Sequence, residues 1–339
     1  GQTQVTMSWL AGGNPTGNTL YIAELSDAVD FESGNLISSA TYNLSATFAD
    51  LFTDTDYWGR VKAVNHAAAE TAYTLLGSTH TDAPNTCNAT ATGNWSAGAT
   101  WTNCTGPGGI PDATDAVIIN SARTVTLDVD ATVAGLTFAA PGTSNALNHS
   151  GTNVLTVNGS VNFTQPTTST RNNSWNINAG SATVVGQIRF HGNNATTSRI
   201  SRIVITTGEL NALGGITFTA SASATKQIVM SGGAGALNLK GNLTIPANSS
   251  TLTAGIAGSV FNYADNVSAQ TVRFFSAGAY HNLHINNTSP AGATLAAAVS
   301  AANVTKDLRV QSGTLANGGF ATVGGTGDVF EVADGATFE

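Results

Sequence analysis

Carboxylates, imidazoles and thiols are the groups from which this chain would have to build a reactive site, and they are thinly spread. Asp112, Asp115, Asp128 and Asp130 form the one acidic cluster in the second half-domain's opening stretch. Between residues 135 and 300 the acids are Glu209 and Asp265 alone. Polysaccharide cleavage needs paired carboxylates at a set separation, or an Asp cluster holding Ca2+ beside a basic residue. Two isolated acids satisfy neither requirement. The four-Asp cluster is the place where Ca2+ would bind, the competing reading being solvated turn residues. His281 and His284, three apart on an expected strand, face opposite sides and do not share a metal easily. His191 stands alone. No nucleophile elbow, H-E-x-x-H, P-loop or dinucleotide fingerprint occurs. The Gly-rich runs GGAGALNLKG and VGGTG precede no helical pattern that would offer an N-terminus to phosphate, so they read as turns. The reading is a non-enzymatic chain with no catalytic, cofactor or metal residues.

Two cysteines, Cys87 and Cys104, are either free thiols or a disulfide. Closing so short a loop would contribute roughly 3 kcal/mol and imply an oxidising compartment. Asn-x-Ser/Thr sequons occur at Asn43, Asn88, Asn103, Asn148, Asn242, Asn266 and Asn303, among others. Asn, Ser and Thr are all abundant, so part of this set arises by chance. The remainder points to a glycosylated surface.

The elements that would carry these residues are strands. Charged residues make up 9% of the 339, against about a quarter in ordinary soluble domains. Ser, Thr, Asn, Gly and Ala replace them, while Glu, Lys, Leu and Arg, which helices favour, are scarce. Net charge is −8 with no basic run, which disfavours nucleic acid and anionic membranes as partners. No apolar stretch approaches the roughly 18 residues of a membrane span. Gly1 in place of Met suggests a mature, trimmed or partial product, and the text stops at DGATFE in mid-pattern.

Residues 4–9 (QVTMSW) alternate as a half-buried strand, and further strands are expected at 20–25, 45–52 and 57–65. Trp9, Leu51, Tyr57 and the run Arg60-Val61-Lys62-Ala63-Val64-Asn65 resemble the fibronectin type III pattern over residues 1–83. The resemblance implies a β-sandwich with Tyr57 as its tyrosine-corner residue. Two departures stand out: Thr53 replaces the usual Pro, and too few residues precede Trp9 for the family's first strand.

Residues 84–134 contain N-W-S, A-T-W and P-D-x-x-D-x-V-x-I in succession. They resemble the opening segment of bacterial cell-surface parallel β-helices, with Trp95 and Trp101 plugging the open end. The run GAYHNLHINN…LANGGF at 278–320 resembles repeat units of large bacterial surface and adhesin-like proteins. From 135 to 339 an apolar-x-apolar pair recurs at Leu136/Phe138, Val161/Phe163, Ile188/Phe190, Ile216/Phe218, Leu243/Ile245, Leu283/Ile285 and Leu308/Val310. Gly159, Gly186, Gly214 and Gly241 each stand two residues before a pair. LTVNGSVNF at 155–163 and LNLKGNLTI at 237–245 match position for position. One copy per coil predicts a parallel β-solenoid, with the long step before Leu283 read as an insertion within 254–282. A β-sandwich with coincidental hairpins is the competing fold.

The fold class is thus all-β, a fibronectin-III-like sandwich followed by a β-solenoid. The leading functional expectation is an extracellular, cell-surface structural subunit of a filament, sheath or surface layer. Its partners would be copies of itself, joined end to end by strand complementation between open sheet edges. The alternative is an adhesin or a binder of cell-surface glycans. A polysaccharide-degrading β-helix enzyme ranks third.

Overall fold

The computed structural model describes residues 4–339 except 16, 50, 168–169, 193–198, 220–224, 231, 246–249, 254–257, 276, 323 and 326. The chain divides into two units, Gly1–Pro84 and Asn85–Glu339.

Among the described residues the first unit holds six antiparallel strands: β1 (Val5–Ser8), β2 (Leu20–Ser26), β3 (Leu36–Thr41), β4 (Ser45–Phe48), β5 (Asp56–Val64) and β6 (Thr74–His80). β1 pairs with β4, while the other four form one sheet in the order β3-β2-β5-β6. Period-2 alternation along β1, β4 and β5 turns Met7, Ala46, Phe48, Tyr57 and Val61 inward, where they meet Trp9, Tyr21, Ala23 and Leu25. Leu51 and Tyr57 are buried, and the Tyr57 hydroxyl accepts the Phe52 N–H at 3.0 Å. That bond fixes the chain where it crosses between the sheets. β3 and β6 lie mostly in solvent. They lack the alternation that marks the inner strands.

The second unit is a parallel β-solenoid, and its coils begin at the Asn85–Ala89 strand itself. Its first face stacks Asn85–Ala89, Asp115–Ile119, Gly135–Phe138, Val161–Phe163, Ile188–Phe190, Ile216–Phe218 and Leu243–Thr244. The register sets Leu136 over Val161, Ile188, Ile216 and Leu243 in turn, and Phe138 over Phe163, Phe190 and Phe218. All these side chains are at most 2% exposed, and Ile245 packs half-buried against them. A second face runs through Val125, Leu147, Trp175, Ile203, Ile228 and Leu252. The third face is a nine-stranded sheet.

The pairs Leu283/Ile285 and Leu308/Val310 do not continue the phenylalanine face. They belong to the third face, under Leu237/Leu239 and Phe261/Tyr263. The long step before Leu283 is therefore a change of face, not an insertion. Past residue 260 the named strands alternate between the third face and a four-stranded sheet made of Gln270–Val272, Ala293–Leu295, Thr314–Ala316 and Thr337–Phe338. Large aromatics fill the transition. Phe275 stands edge-on to Phe218, ending the parallel stack, and packs with Phe261 and Tyr280.

The glycine column explains the tightest corner. A Cβ on Gly186 would lie 2.6 Å from the Gly159 carbonyl carbon, and one on Gly214 would lie 2.5 Å from that of Gly186. Gly241 repeats the contact against Gly214. Close approach of stacked backbones, rather than a left-handed φ, requires glycine at these positions.

Candidate functional site

The acidic cluster lies in the first coils, where its carboxylates brace turns. Asp115 is fully buried; its Oδ1 accepts from Asn85 Nδ2 at 2.7 Å, and its Oδ2 accepts the N–H groups of Thr105 and Asp112 at 3.0 Å. Asp112 accepts from the Thr114 N–H and hydroxyl. Asp128 takes the N–H and hydroxyl of Ser96, and Asp130 the N–H of Val154 in the next coil. Each carboxylate thus meets donors of the protein, and each ties one loop to another.

Cys87 and Cys104 form a disulfide. Cys87 opens the first-face ladder above Val117, so the bridge fastens the terminal loop over the end of the core. Trp95 and Trp101 complete this cover, edge to face at 4.9 Å, with Trp101 Nε1 donating to Trp95 O at 2.8 Å. Asp115 stands beside the two sulfurs. A disulfide offers no thiolate, so this trio is not a metal centre.

The interior also holds polar groups that the sequence reading passed over. Asn145, Asn173 and Lys226 occupy one inward position on the second face, and each donates to a carbonyl at the corner leaving the first face. Asn145 reaches Ala139 O at 3.1 Å, while Asn173 and Lys226 reach Thr164 O and Thr219 O. Burial lowers the Lys226 amine to about 8. His149 is buried against Trp175, and its Nε2 accepts the indole N–H at 3.0 Å. Its Nδ1 then donates to Asn153 O at 3.1 Å, which fixes the neutral tautomer. Burial pushes this imidazole down to about 4. Tyr263 and Tyr280, both buried, share a hydroxyl–hydroxyl contact of 3.1 Å, and burial raises both phenols. All these perturbed groups are enclosed, with their bonding spent on neighbouring coils. Aligning the chain on the coil repeat reveals the Asn145–Asn173–Lys226 column; local motifs do not.

A β-bulge between Tyr280 and Asn282 corrects the expectation for the histidine pair. It turns His281 outward, where its Nδ1 meets Thr305 Oγ1, and His284 also stands on the solvent side between buried Leu283 and Ile285. No third ligand joins them among the described residues. His191 contacts Asn162 at 3.3 Å. Glu209 accepts from Asn238, and Asp265 caps the turn at Val267 and Ser268. The register does not bring these two acids together.

The seven sequon asparagines fall into different settings. Asn43, Asn103, Asn242 and Asn266 are exposed. Asn148 accepts from Asn176 of the next coil at 2.6 Å, and a second outer ladder joins Asn211, Asn238, Asn262 and Asn286. Asn303 is locked in its own turn, accepting from Ser300 N and donating to Ala298 O. Asn88 is half-buried, with its amide 3.5 Å from Thr86 O.

Two unfinished edges remain. In the first unit a groove of about 200 Å3 opens between β1 and β6, floored by Met7, Leu25, Tyr57 and Leu76. Each of these strands has a single named sheet neighbour. In the solenoid, Phe330 and Val332 end the third-face ladders at 48% and 40% exposed, beside a cavity of about 270 Å3 lined by Val304, Leu308 and Val329. No helix among the described residues is long and apolar enough to cross a membrane. No protein-family model, no curated protein and no solved structure matches this chain.

Proposed function

We propose that this chain is a non-catalytic structural component of an extracellular filament, sheath or surface layer, and that its assembly proceeds by strand addition. The observation carrying this reading is the seam between β1 and β6. Two sheet edges face one gap there, and core side chains form its floor. An extended segment of another copy laid in this seam would satisfy backbone groups along an edge and cover Met7 and Leu76. Trp9, the Tyr57–Phe52 bond and the strand order support the fibronectin-III-like reading, in which a further strand fills this position. The disulfide and exposed sequons support an oxidising, extracellular location. Dispersed carboxylates and enclosed titratable groups support a structural rather than catalytic role.

The test uses native material. Negative-stain microscopy and mass spectrometry of the chain termini are combined with hydrogen exchange across Val5–Ser8. Regular fibres with protected β1 amides are expected. Protein that stays monomeric at high concentration, or a seam filled by an upstream segment of the same polypeptide, would overturn strand exchange.

A further inference from the structure

Charge is distributed unevenly along this acidic chain. Residues 131–264 carry Arg171, Arg189, Arg199, Arg202, Lys226 and Lys240 against the single acid Glu209. Residues 1–84 carry nine acids and two bases, a net charge of −7. A cationic middle and an acidic first unit therefore occur in one polypeptide.

The coil register stacks two of the cations, Arg171 and Arg199, and Arg189 and Arg202 belong to the same coil as Arg199. Asn172 pairs with Ile200, so the residues just before them, Arg171 and Arg199, stack on adjacent coils roughly 4.8 Å apart. Arg202 follows on the outward side of the second face, its Nε donating to Ser174 Oγ at 2.9 Å. Arg189 projects into solvent from the first-face strand of the same coil, its Nε donating to Gln187 Oε1 at 2.9 Å. The ion pairs of the described residues involve Arg60, Lys62, His80 and Arg309, and none of these four arginines. The Nε atoms of Arg171 and Arg199 are shut off from solvent with no acceptor. Stacked like charges are costly in isolation, and an incoming carboxylate at the partly exposed guanidiniums would offset that cost.

We propose that this arginine corner is an interface for a second copy of the chain, whose acidic first unit supplies the carboxylates. The turn between β2 and β3 has the matching chemistry. Asp27, Asp30 and Glu32 fall within it, none in an ion pair with another described residue, beside Val29 at 68% exposed. Asp27 and Asp30 are held in place by Asn35 and by the N–H groups of Glu32 and Ser33. Arginine forks suit carboxylates fixed in this way. The contact is lateral and ionic, so it stands apart from strand addition: apolar strand pairing survives salt, whereas charge pairing is screened.

Sedimentation velocity of the intact chain at about 20 mM and about 500 mM NaCl tests the interface. The wild type is expected to self-associate at low salt and to lose that association at high salt. Arg189→Glu with Arg202→Glu should weaken association about tenfold, as should Asp30→Lys with Glu32→Lys. Mixing the two variants should restore it. Arg171→Gln with Arg199→Gln, a charge-neutralising pair, guards against misfolding of the reversed variants, and circular dichroism checks each. Salt-insensitive association, or charge reversals without effect, would overturn the interface while leaving strand addition standing. A monomer at low salt that instead binds polygalacturonate would overturn it as well and assign the corner to an anionic polymer.

Discussion

Replacing Phe190 by alanine tests the register of the solenoid most directly. Its ring is fully buried between Phe163 and Phe218, with centroids 4.6 and 4.7 Å away and planes within 6° of parallel. The coils above and below are fixed by strand pairing, so the gap cannot collapse freely. Removing a buried Phe side chain costs about 3–5 kcal/mol where the site relaxes poorly. Each lost ring–ring contact accounts for about 0.5–1.5 kcal/mol of that beyond simple burial. The same position as leucine should cost less than about 1.5 kcal/mol, because volume and apolarity are largely kept. Urea unfolding read by circular dichroism supplies the free energies, with the slope compared between variants to detect loss of cooperativity in a stacked array. Phe320→Ala, at 40% exposed, serves as a surface control. Phe190→Ala within 0.5 kcal/mol of the parent, on the scale of ordinary surface changes, would refute the inward register.

Further outcomes follow from the corners and buried groups. Gly186→Ala should destabilise by about 1–3 kcal/mol through its clash with Gly159, whereas Gly142→Ala, which meets nothing within 4 Å, should be near neutral in the same denaturation assay. His149 is held neutral, burial pushing its folded value down to about 4 from the ordinary imidazole value of 6.5. The unfolded chain takes up this proton first, so stability should be full above about pH 6.5 and fall by on the order of 3 kcal/mol as pH drops toward 4. His149→Gln should flatten that part of the profile, and an unchanged slope would remove His149 as its source. Intact mass after alkylation should reveal no free thiol before reduction, and Cys87→Ala with Cys104→Ala should cost about 3 kcal/mol. Two alkylatable thiols in the unreduced chain would contradict the bridge.

The phenylalanine ladder was readable because Leu136 to Leu243 alternate in and out and recur once per coil. Its continuation was misread at Leu283, since the same apolar-x-apolar signature marks every inward-facing strand and carries no label for the face. Strands β3 and β6 escaped notice because an edge strand in solvent needs no apolar alternation. The outward turn of His281 depends on a bulge, which local sequence does not announce. Lys226 and His149 likewise look unremarkable in sequence. Their meaning comes from the stacked coils: Lys226 lies on Ser201 and two coils from Asn173, and His149 meets Trp175 of the next coil. The arginine corner has the same origin, for Arg171 and Arg199 meet only when coils are laid upon each other.

The glycine column also bears on how such a chain can change. Val157 to Val161, Val184 to Ile188, Ala212 to Ile216 and Leu239 to Leu243 are all the same four-residue step, set by backbones that leave no room for a Cβ. The passage from the first face to the second varies instead: Phe138 to Leu147 and Phe190 to Ile203 differ in length. Insertions should therefore accumulate on one edge and be purged from the other. For engineering, a peptide epitope grafted between Pro141 and Ser144 would ride on the outside of a coil, whereas the same graft beside Gly186 would wedge two coils apart.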